Sequence, residues 1–209
     1  MAAFIILAHI LIIMYKQTVP LILASKSPRR QELMQAMGLE FNVLLKEVDE
    51  SYPEHLSPAE IACYIAEKKA VAFIEERLHH LVITADTIVS YEGEIMGKPA
   101  NAAAATEMLS KLSGTVHQVY TGVSLAHKDQ LNTFYDMTEV WFRTISEEEI
   151  AHYVNNFNPF DKAGSYGIQD WLGFVAVEKI TGSYTNVMGL PTEKLYTALS
   201  SFQHFRSGF

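Results

Sequence analysis

The chain is predicted to be α/β with α+β character: a mixed central β-sheet flanked by helices, in one domain or one two-lobed domain. Three observations carry this expectation. Apolar, β-branched runs at 20–24, 41–45 and 81–89 alternate with helix-patterned stretches in the first half. Strand-like runs then cluster at 118–126 and 132–144. Capping sequences, Gly and Pro punctuate these runs at short intervals, with no repeat, low-complexity segment or clear linker among the 209 residues.

Taken in order, Pro20 to Ala24 reads as a buried strand. A helix follows from Ser27 to Met37, with Ser27 as N-cap, Pro28 in the first helical position and Gly38 closing the C-terminal end. Phe41 to Leu45 reads as a strand, and 47–51 as an acidic turn. Ser57-Pro58-Ala59-Glu60 has the capping-box form and opens a helix through about Glu76. A strand at 81–89 follows, then a hairpin between Tyr91 and Met96 turning at Glu92-Gly93. The alanine-rich stretch from Asn101 to Leu112 is helical and ends at Gly114. Two strands meet at a turn around Asp129. Ser146 to Glu149 is a second capping box, for a helix to about Asn155. Phe174 to Ile180 reads as a strand, and Pro191 opens a last helix to about Phe202.

The formal net charge of −8 argues against a general binder of nucleic acid or anionic membrane, although a small anionic ligand feels only the local field. One cysteine, Cys63, rules out an intramolecular disulfide and any cysteine-based metal motif, and a reducing cytoplasm fits. Met1 to Met14 is apolar apart from His9, yet shorter than the roughly 20 residues that cross a bilayer, and it lacks a basic start or an Ala-x-Ala-like cleavage site. Residues 1–17 are therefore expected to be an extension outside the fold, with a translation start at Met14 as one explanation and a peripheral membrane anchor as the alternative. The domain is expected over 18–202, with a tail at 203–209.

Ser25-Lys26-Ser27-Pro28-Arg29-Arg30 lies at a strand-to-helix turn. A helix start offers unpaired N–H groups and the positive end of the dipole. Cations in the first turn oppose that dipole, so Arg29 and Arg30 fit an anionic ligand better than helix stability. In isolation the stretch is equally an ordinary capped helix with two surface arginines. Asp86 sits inside the apolar run 81–89, where an unpaired carboxylate is expensive to bury. It either meets a cation, metal or N–H groups at a cleft or is a structural turn aspartate. Asp49 and Glu50 form an acidic turn whose oxygens suit Mg²⁺ or Mn²⁺ shared with phosphate, though most acidic turns are simply solvated. Lys69 and Lys98, taken alone, read as surface lysines. The eight histidines form no metal spacing, and there is no His-Glu-x-x-His, Gly-x-Ser-x-Gly or Walker loop.

The ordered set is far more specific than its parts. Ser25-x-Ser27-Pro28-Arg29-Arg30, Glu50, Lys69-Ala70, Ala85-Asp86-Thr87, Gly97-Lys98-Pro99, Gly164 to Gln169 and Asn186 to Pro191 together resemble the Maf family of nucleoside-triphosphate pyrophosphatases, from about Leu21 to Leu199. The resemblance implies a cleft-bearing fold similar to that of inosine-triphosphate pyrophosphatases. It implies catalytic roles for Asp86, Glu50, Lys69 and Lys98, with Asp86 as the proton acceptor that activates water. Ser25, Ser27, Arg29, Arg30, Thr87 and Gln169 are implied to bind substrate, with Arg29, Thr87 and Gln169 bearing on its choice. Glu50 and Asp86 are the implied ligands of a divalent cation, Mg²⁺ or Mn²⁺.

The Ser165-Tyr166-Gly167-Ile168-Gln169 loop is similar to that of the branch acting on dTTP and UTP. The expected reaction is then metal-dependent hydrolysis between the α and β phosphates, releasing a nucleoside monophosphate and pyrophosphate; modified pyrimidine nucleotides are further candidates. The alternatives are a nucleotide-binding regulator of septum formation without turnover, and a 7-methyl-GTP pyrophosphatase. The resemblance further implies a homodimer, with no nucleic-acid or membrane partner and a cytoplasmic location. One departure stands out: Lys68 replaces the glutamate common in the family, beside the implied catalytic Lys69.

Overall fold

A computed structural model describes residues 16–17, 19–202 and 205–206. Its centre is a mixed sheet of seven strands. The strands are β2 (Leu21–Leu23), β3 (Phe41–Val43), β4 (Leu81–Tyr91), β5 (Glu94–Met96), β6 (Val116–His127), β7 (Gln130–Phe142) and β8 (Val177–Thr181). The order is β3-β2-β4-β6-β7-β8, with β5 paired to β4. A separate pair joins β1 (Lys16–Gln17) to β9 (Phe205–Arg206). The rest of the expected N-terminal extension and tail lies outside the described residues. No described helix is long and apolar enough to cross a membrane.

β4 organises the sheet. Along one edge it pairs with β6 over Val82 to Ser90. Along the other it meets parallel β2 at Leu81 to Ile83 and the short β5 at Val89 to Tyr91. The edge between those partners opens on the cleft, and Asp86 and Thr87 lie there. Leu81, Ile83 and Ala85 belong to one core cluster with Leu23, Met34, Leu195 and Leu199. Val89 belongs to a second, with Leu109, Tyr153, Tyr166 and Leu172. The strand thus runs from one apolar lobe into the other.

The helices are α1 (Pro28–Ala36), α2 (Pro58–Val71), α3 (Ala102–Leu112), α4 (Glu147–Phe157), α5 (Trp171–Ala176), α6 (Tyr184–Met188) and α7 (Thr192–Ser201). The two expected capping boxes form. Ser57 and Glu60 exchange side-chain and backbone bonds at the start of α2, and Ser146 and Glu149 do so at α4. Gly38, at φ +72°, closes α1 with two bonds of a Schellman motif, from its own N–H to Gln35 O and from the Leu39 N–H to Met34 O. The Glu92-Gly93 turn has positive φ at both residues, as a two-residue hairpin requires.

Helix α2 lies unusually close to the sheet. A Cβ on Gly122 would collide with the Ala62 carbonyl, and Ala62, Ala66 and Ala70 are fully buried. Thr84 Oγ1 donates to Ala66 O at 2.6 Å across the same seam. Small side chains here let the backbones approach, which brings Lys69 over β4.

Three expectations differ from the structure. Phe174 to Ile180 is not one strand, because Trp171–Ala176 is helical and β8 begins only at Val177. The run reads as a strand, but Phe174 is 73% exposed and its N–H bonds back to Asp170 O in a helical turn. Helix α2 ends at Val71 rather than near Glu76. Tight bonds from the Ala72 and Phe73 N–H groups to Lys69 and Ala70 turn the chain so that Phe73 packs on Ile22, Val82 and Ala126. Helix α6 was not expected: its five residues, capped by Ser183, are too few to show a helical period.

Candidate active site

A cleft of about 790 Å³ runs along the open edge of β4. All ten residues singled out from the sequence line it: Ser25, Ser27, Arg29, Arg30, Glu50, Lys69, Asp86, Thr87, Lys98 and Gln169. They arrive on the turn after β2, the first turn of α1, the irregular segment after β3, α2, β4, the segment after β5 and the loop before α5.

At the floor, Lys69 Nζ lies 2.7 Å from Glu50 Oε1 and 2.7 Å from Asp86 Oδ1. The side chains of Lys69 and Asp86 are 16% and 14% exposed, against 50% for Glu50. A carboxylate inside an apolar strand has therefore found its cation, supplied by the closely packed α2. Burial raises the Glu50 carboxyl, but the hydrogen bond and charge of Lys69, helped by Lys98 and Arg30, bring it below the usual carboxylate range. Lys98 is exposed at the rim and acts on Glu50 through its charge.

Arg30 is built into the wall. Its Nε donates to Gly189 O at 2.7 Å, Nη1 to Ser25 Oγ at 3.2 Å and Nη2 to Thr87 Oγ1 at 3.0 Å. Ser27 occupies the N-cap position of α1, but its side chain makes no capping bond; its N–H donates to Ser25 Oγ at 3.2 Å. Arg29 reaches across to Asp161 Oδ2 at 3.3 Å. The opposite wall is the 162–170 loop. Tyr153 braces it by donating to Asp170 Oδ2 at 3.0 Å and accepting from the Gly167 N–H at 3.1 Å. Behind the loop, His117 Nε2 and Tyr166 Oη lie 2.7 Å apart. Gln169 lines the cleft, and its Oε1 is buried without a hydrogen-bond partner.

Sequence reasoning missed several groups that build this site. Lys162, 2.8 Å from Asp161 and 3.5 Å from Asp170, lines the cleft and carried no motif signal. Asn186 lies in a stretch that did stand out, yet its role appears only in three dimensions. It is fully buried, and its Nδ2 donates to Val119 O and Thr138 Oγ1, each at 3.0 Å. Lys68, the departure from the family pattern, turns away from the floor and bonds Asp49 Oδ2 at 2.9 Å and Ser51 O at 3.1 Å.

The donor set at the floor fits a divalent cation only in part. Among the described residues, no group of three or more His, Cys, Asp or Glu side chains is placed to hold a metal. Glu50 and Asp86 converge on one lysine through one oxygen each. That suits a Mg²⁺-like ion whose remaining ligands are substrate phosphate oxygens and water, rather than a site closed by protein.

Comparison with known proteins agrees with the motif reading. The dTTP/UTP pyrophosphatase of Bacteroides fragilis is 51% identical over 182 residues, covering 86% of this chain and 94% of that protein. The dTTP/UTP pyrophosphatase of Bacillus cereus is 48% identical over 182 residues, covering 87% and 95%. That of Flavobacterium johnsoniae is 46% identical over 182 residues, covering 87% and 94%. Among solved structures, the Ham1 protein of Staphylococcus aureus aligns with 59% of this chain and 71% of its own at 16% identity and a TM-score of 0.42, too low to argue from. The model of the family described as Maf-like protein matches residues 20–202, and the chain belongs to the Maf family.

Proposed function

We propose that the chain is a nucleoside triphosphate pyrophosphatase that hydrolyses dTTP and UTP between the α and β phosphates, with a divalent cation, to the monophosphate and pyrophosphate. The observation that carries this reading is the Glu50–Lys69–Asp86 floor beneath a rim of Arg29, Lys98 and Lys162. A triphosphate needs fixed positive charge along its length and a carboxylate near the α-phosphorus; the cations and the Asp86 carboxylate in one cleft support this reading. The substrate class is taken from the relatives named above, and the unpartnered Gln169 oxygen supports it. The residue lines the cleft, and with its side chain turned to expose that oxygen it matches the imide N–H shared by uracil and thymine.

In this mechanism Lys69 fixes the Asp86 carboxylate by holding Oδ1, which leaves Oδ2 to orient a water and accept its proton. Arg29, Lys98 and Lys162 hold the phosphates in line for attack and offset the charge that gathers on the leaving pyrophosphate. Glu50 and Asp86 would hold Mg²⁺ or Mn²⁺, which supplies further charge neutralisation and a more acidic bound water. The 162–170 loop places the base by its Gln169 edge.

The test is pyrophosphate release from a panel of nucleotides, with Mg²⁺, with Mn²⁺ and in chelator. UTP and dTTP should be turned over with metal only. Asp86→Asn should lower turnover by about 10³-fold while near-UV circular dichroism stays unchanged. Undiminished turnover in that variant would reject Asp86 as the base. Tight nucleotide binding without release, under every metal, would reject the pyrophosphatase reading itself.

A further inference from the structure

Arg30 grips two hydroxyls, Ser25 and Thr87, and their proton bookkeeping comes out opposite. We infer that Thr121, a fully buried residue of β6 outside the cleft lining, is a positioning residue that makes Thr87 an acceptor-only group toward the ligand, while Ser25 remains a donor.

The polarity of each hydroxyl follows from which of its neighbours can donate. Asn186 O is a main-chain carbonyl and only accepts, so Thr121 spends its single proton on it, at 2.9 Å. Thr87 Oγ1 and Thr121 Oγ1 lie 2.9 Å apart. With the Thr121 proton committed, Thr87 is the donor in that pair. Thr87 Oγ1 also accepts from Arg30 Nη2. One lone pair then remains for the cleft, and no proton. The chain of bonds runs one way, from Arg30 through Thr87 and Thr121 to Asn186.

Ser25 is the reverse. Its oxygen accepts from Arg30 Nη1 and from the Ser27 N–H, each at 3.2 Å, which uses both lone pairs. Its proton is left for the cleft. An ionised phosphate oxygen has only lone pairs to offer, so it pairs with Ser25 and is disfavoured at Thr87. A sugar hydroxyl or a base N–H donates to Thr87. Two hydroxyls on one guanidinium thus set the direction in which a nucleotide lies, with the polyphosphate toward Ser25 and the nucleoside toward Thr87. This inference rests on the reading of the cleft as a nucleotide site and extends it to orientation.

Binding of UTP and of inorganic tripolyphosphate, which has no nucleoside donor, separates the two polarities. Calorimetric titrations would be run on the full chain, in chelator and again with Mg²⁺. Thr87→Val should weaken UTP by about five- to tenfold and leave tripolyphosphate within about twofold, since one neutral hydrogen bond is at stake. Thr121→Val frees the Thr87 proton to face the cleft, so tripolyphosphate should tighten by about fivefold relative to UTP. Thr121→Ser should behave as the parent, and Thr87→Val/Thr121→Val should match Thr87→Val alone, because Thr121 acts only through Thr87. Equal weakening of both probes by Thr87→Val would overturn the proposal, as would an unchanged probe ratio in a folded Thr121→Val. If Thr121→Val does not fold, the Thr87→Val and Thr87→Ser pair decides alone, with the serine retaining UTP binding. A parent chain that binds UTP but releases no pyrophosphate defeats the pyrophosphatase reading and leaves this test standing. A parent that binds neither probe defeats the orientation proposal.

Discussion

On one side of the cleft, Arg30 ties Ser25, Thr87 and Gly189 together before any ligand arrives. On the other, the Gln169 oxygen is buried with nothing to accept from, although the loop that carries it is well braced. The Arg30 wall is preorganised: its guanidinium and both hydroxyls are held by bonds within the protein, so ligand binding need not order them. The Gln169 side keeps one buried acceptor unsatisfied, at a cost of about 1–3 kcal/mol. On the proposed function the first wall would supply strength and the second choice, since a correct ligand would satisfy that acceptor and a wrong one would not.

The sharpest way to break this contrast is to loosen the bonded wall. Arg30→Met removes all three bonds and leaves Gly189 O, Ser25 and Thr87 to rearrange. We expect a loss of about 2–4 kcal/mol in unfolding free energy by denaturant titration, with turnover falling alongside. If stability stays within ~0.5 kcal/mol, Arg30 is an ordinary ligand-facing cation and the contrast fails.

The next effect belongs to the Gln169 side and is read by pH. Burial pushes the His117 imidazole, fully enclosed against Tyr166 and Phe142, down to about 3 from its ordinary 6.5. Below pH 6.5 the unfolded chain takes up a proton that the folded chain refuses. The stability contributed by a neutral His117 is therefore full above 6.5 and is lost as pH falls toward 3. His117→Phe should flatten the fall of unfolding free energy over that window by a few kcal/mol relative to the parent; parallel curves would show that His117 protonates in the folded state.

Gln169→Leu should sharpen the contrast from the other side. It removes an unsatisfied buried acceptor, so stability should hold or rise by up to about 1–3 kcal/mol, while kcat/KM for UTP over a purine triphosphate should drop by about tenfold. A large stability loss with unchanged discrimination would mean that Gln169 is structural. The smallest effect is expected at Lys68, whose partner Asp49 is exposed. Lys68→Ala should leave kcat within about fivefold, because exposed ion pairs contribute little.

Much of the fold was legible because it is coded locally. Ser57 and Ser146 with a glutamate three residues on, Gly38 after the helix that Pro28 opens and Glu92-Gly93 between strand-like runs each specify a terminus or turn through bonds that span a few residues. The 171–176 helix was misread because Phe174-Val175-Ala176 has strand-like composition and is too short to display a helical period. The candidate residues Asp86, Glu50, Lys69, Lys98, Ser25 and Gln169, which line one cleft, stand out through the resemblance of the whole ordered set. Individually, an acidic turn and two lysines carried almost no signal.

The sequence by itself determined the type and order of most elements, the caps that bound the helices, and a family whose motifs lie along one chain. Only tertiary structure decided what those motifs do to each other. The placement of Lys69 between Glu50 and Asp86 depends on Gly122 and three alanines allowing α2 onto the sheet. The commitment of Arg30 to three partners, and the direction of the Thr87–Thr121–Asn186 bonds, join residues up to 159 positions apart. Hydrogen-bond polarity between distant residues follows from where each proton finds its acceptor, and no local pattern of residue types records it.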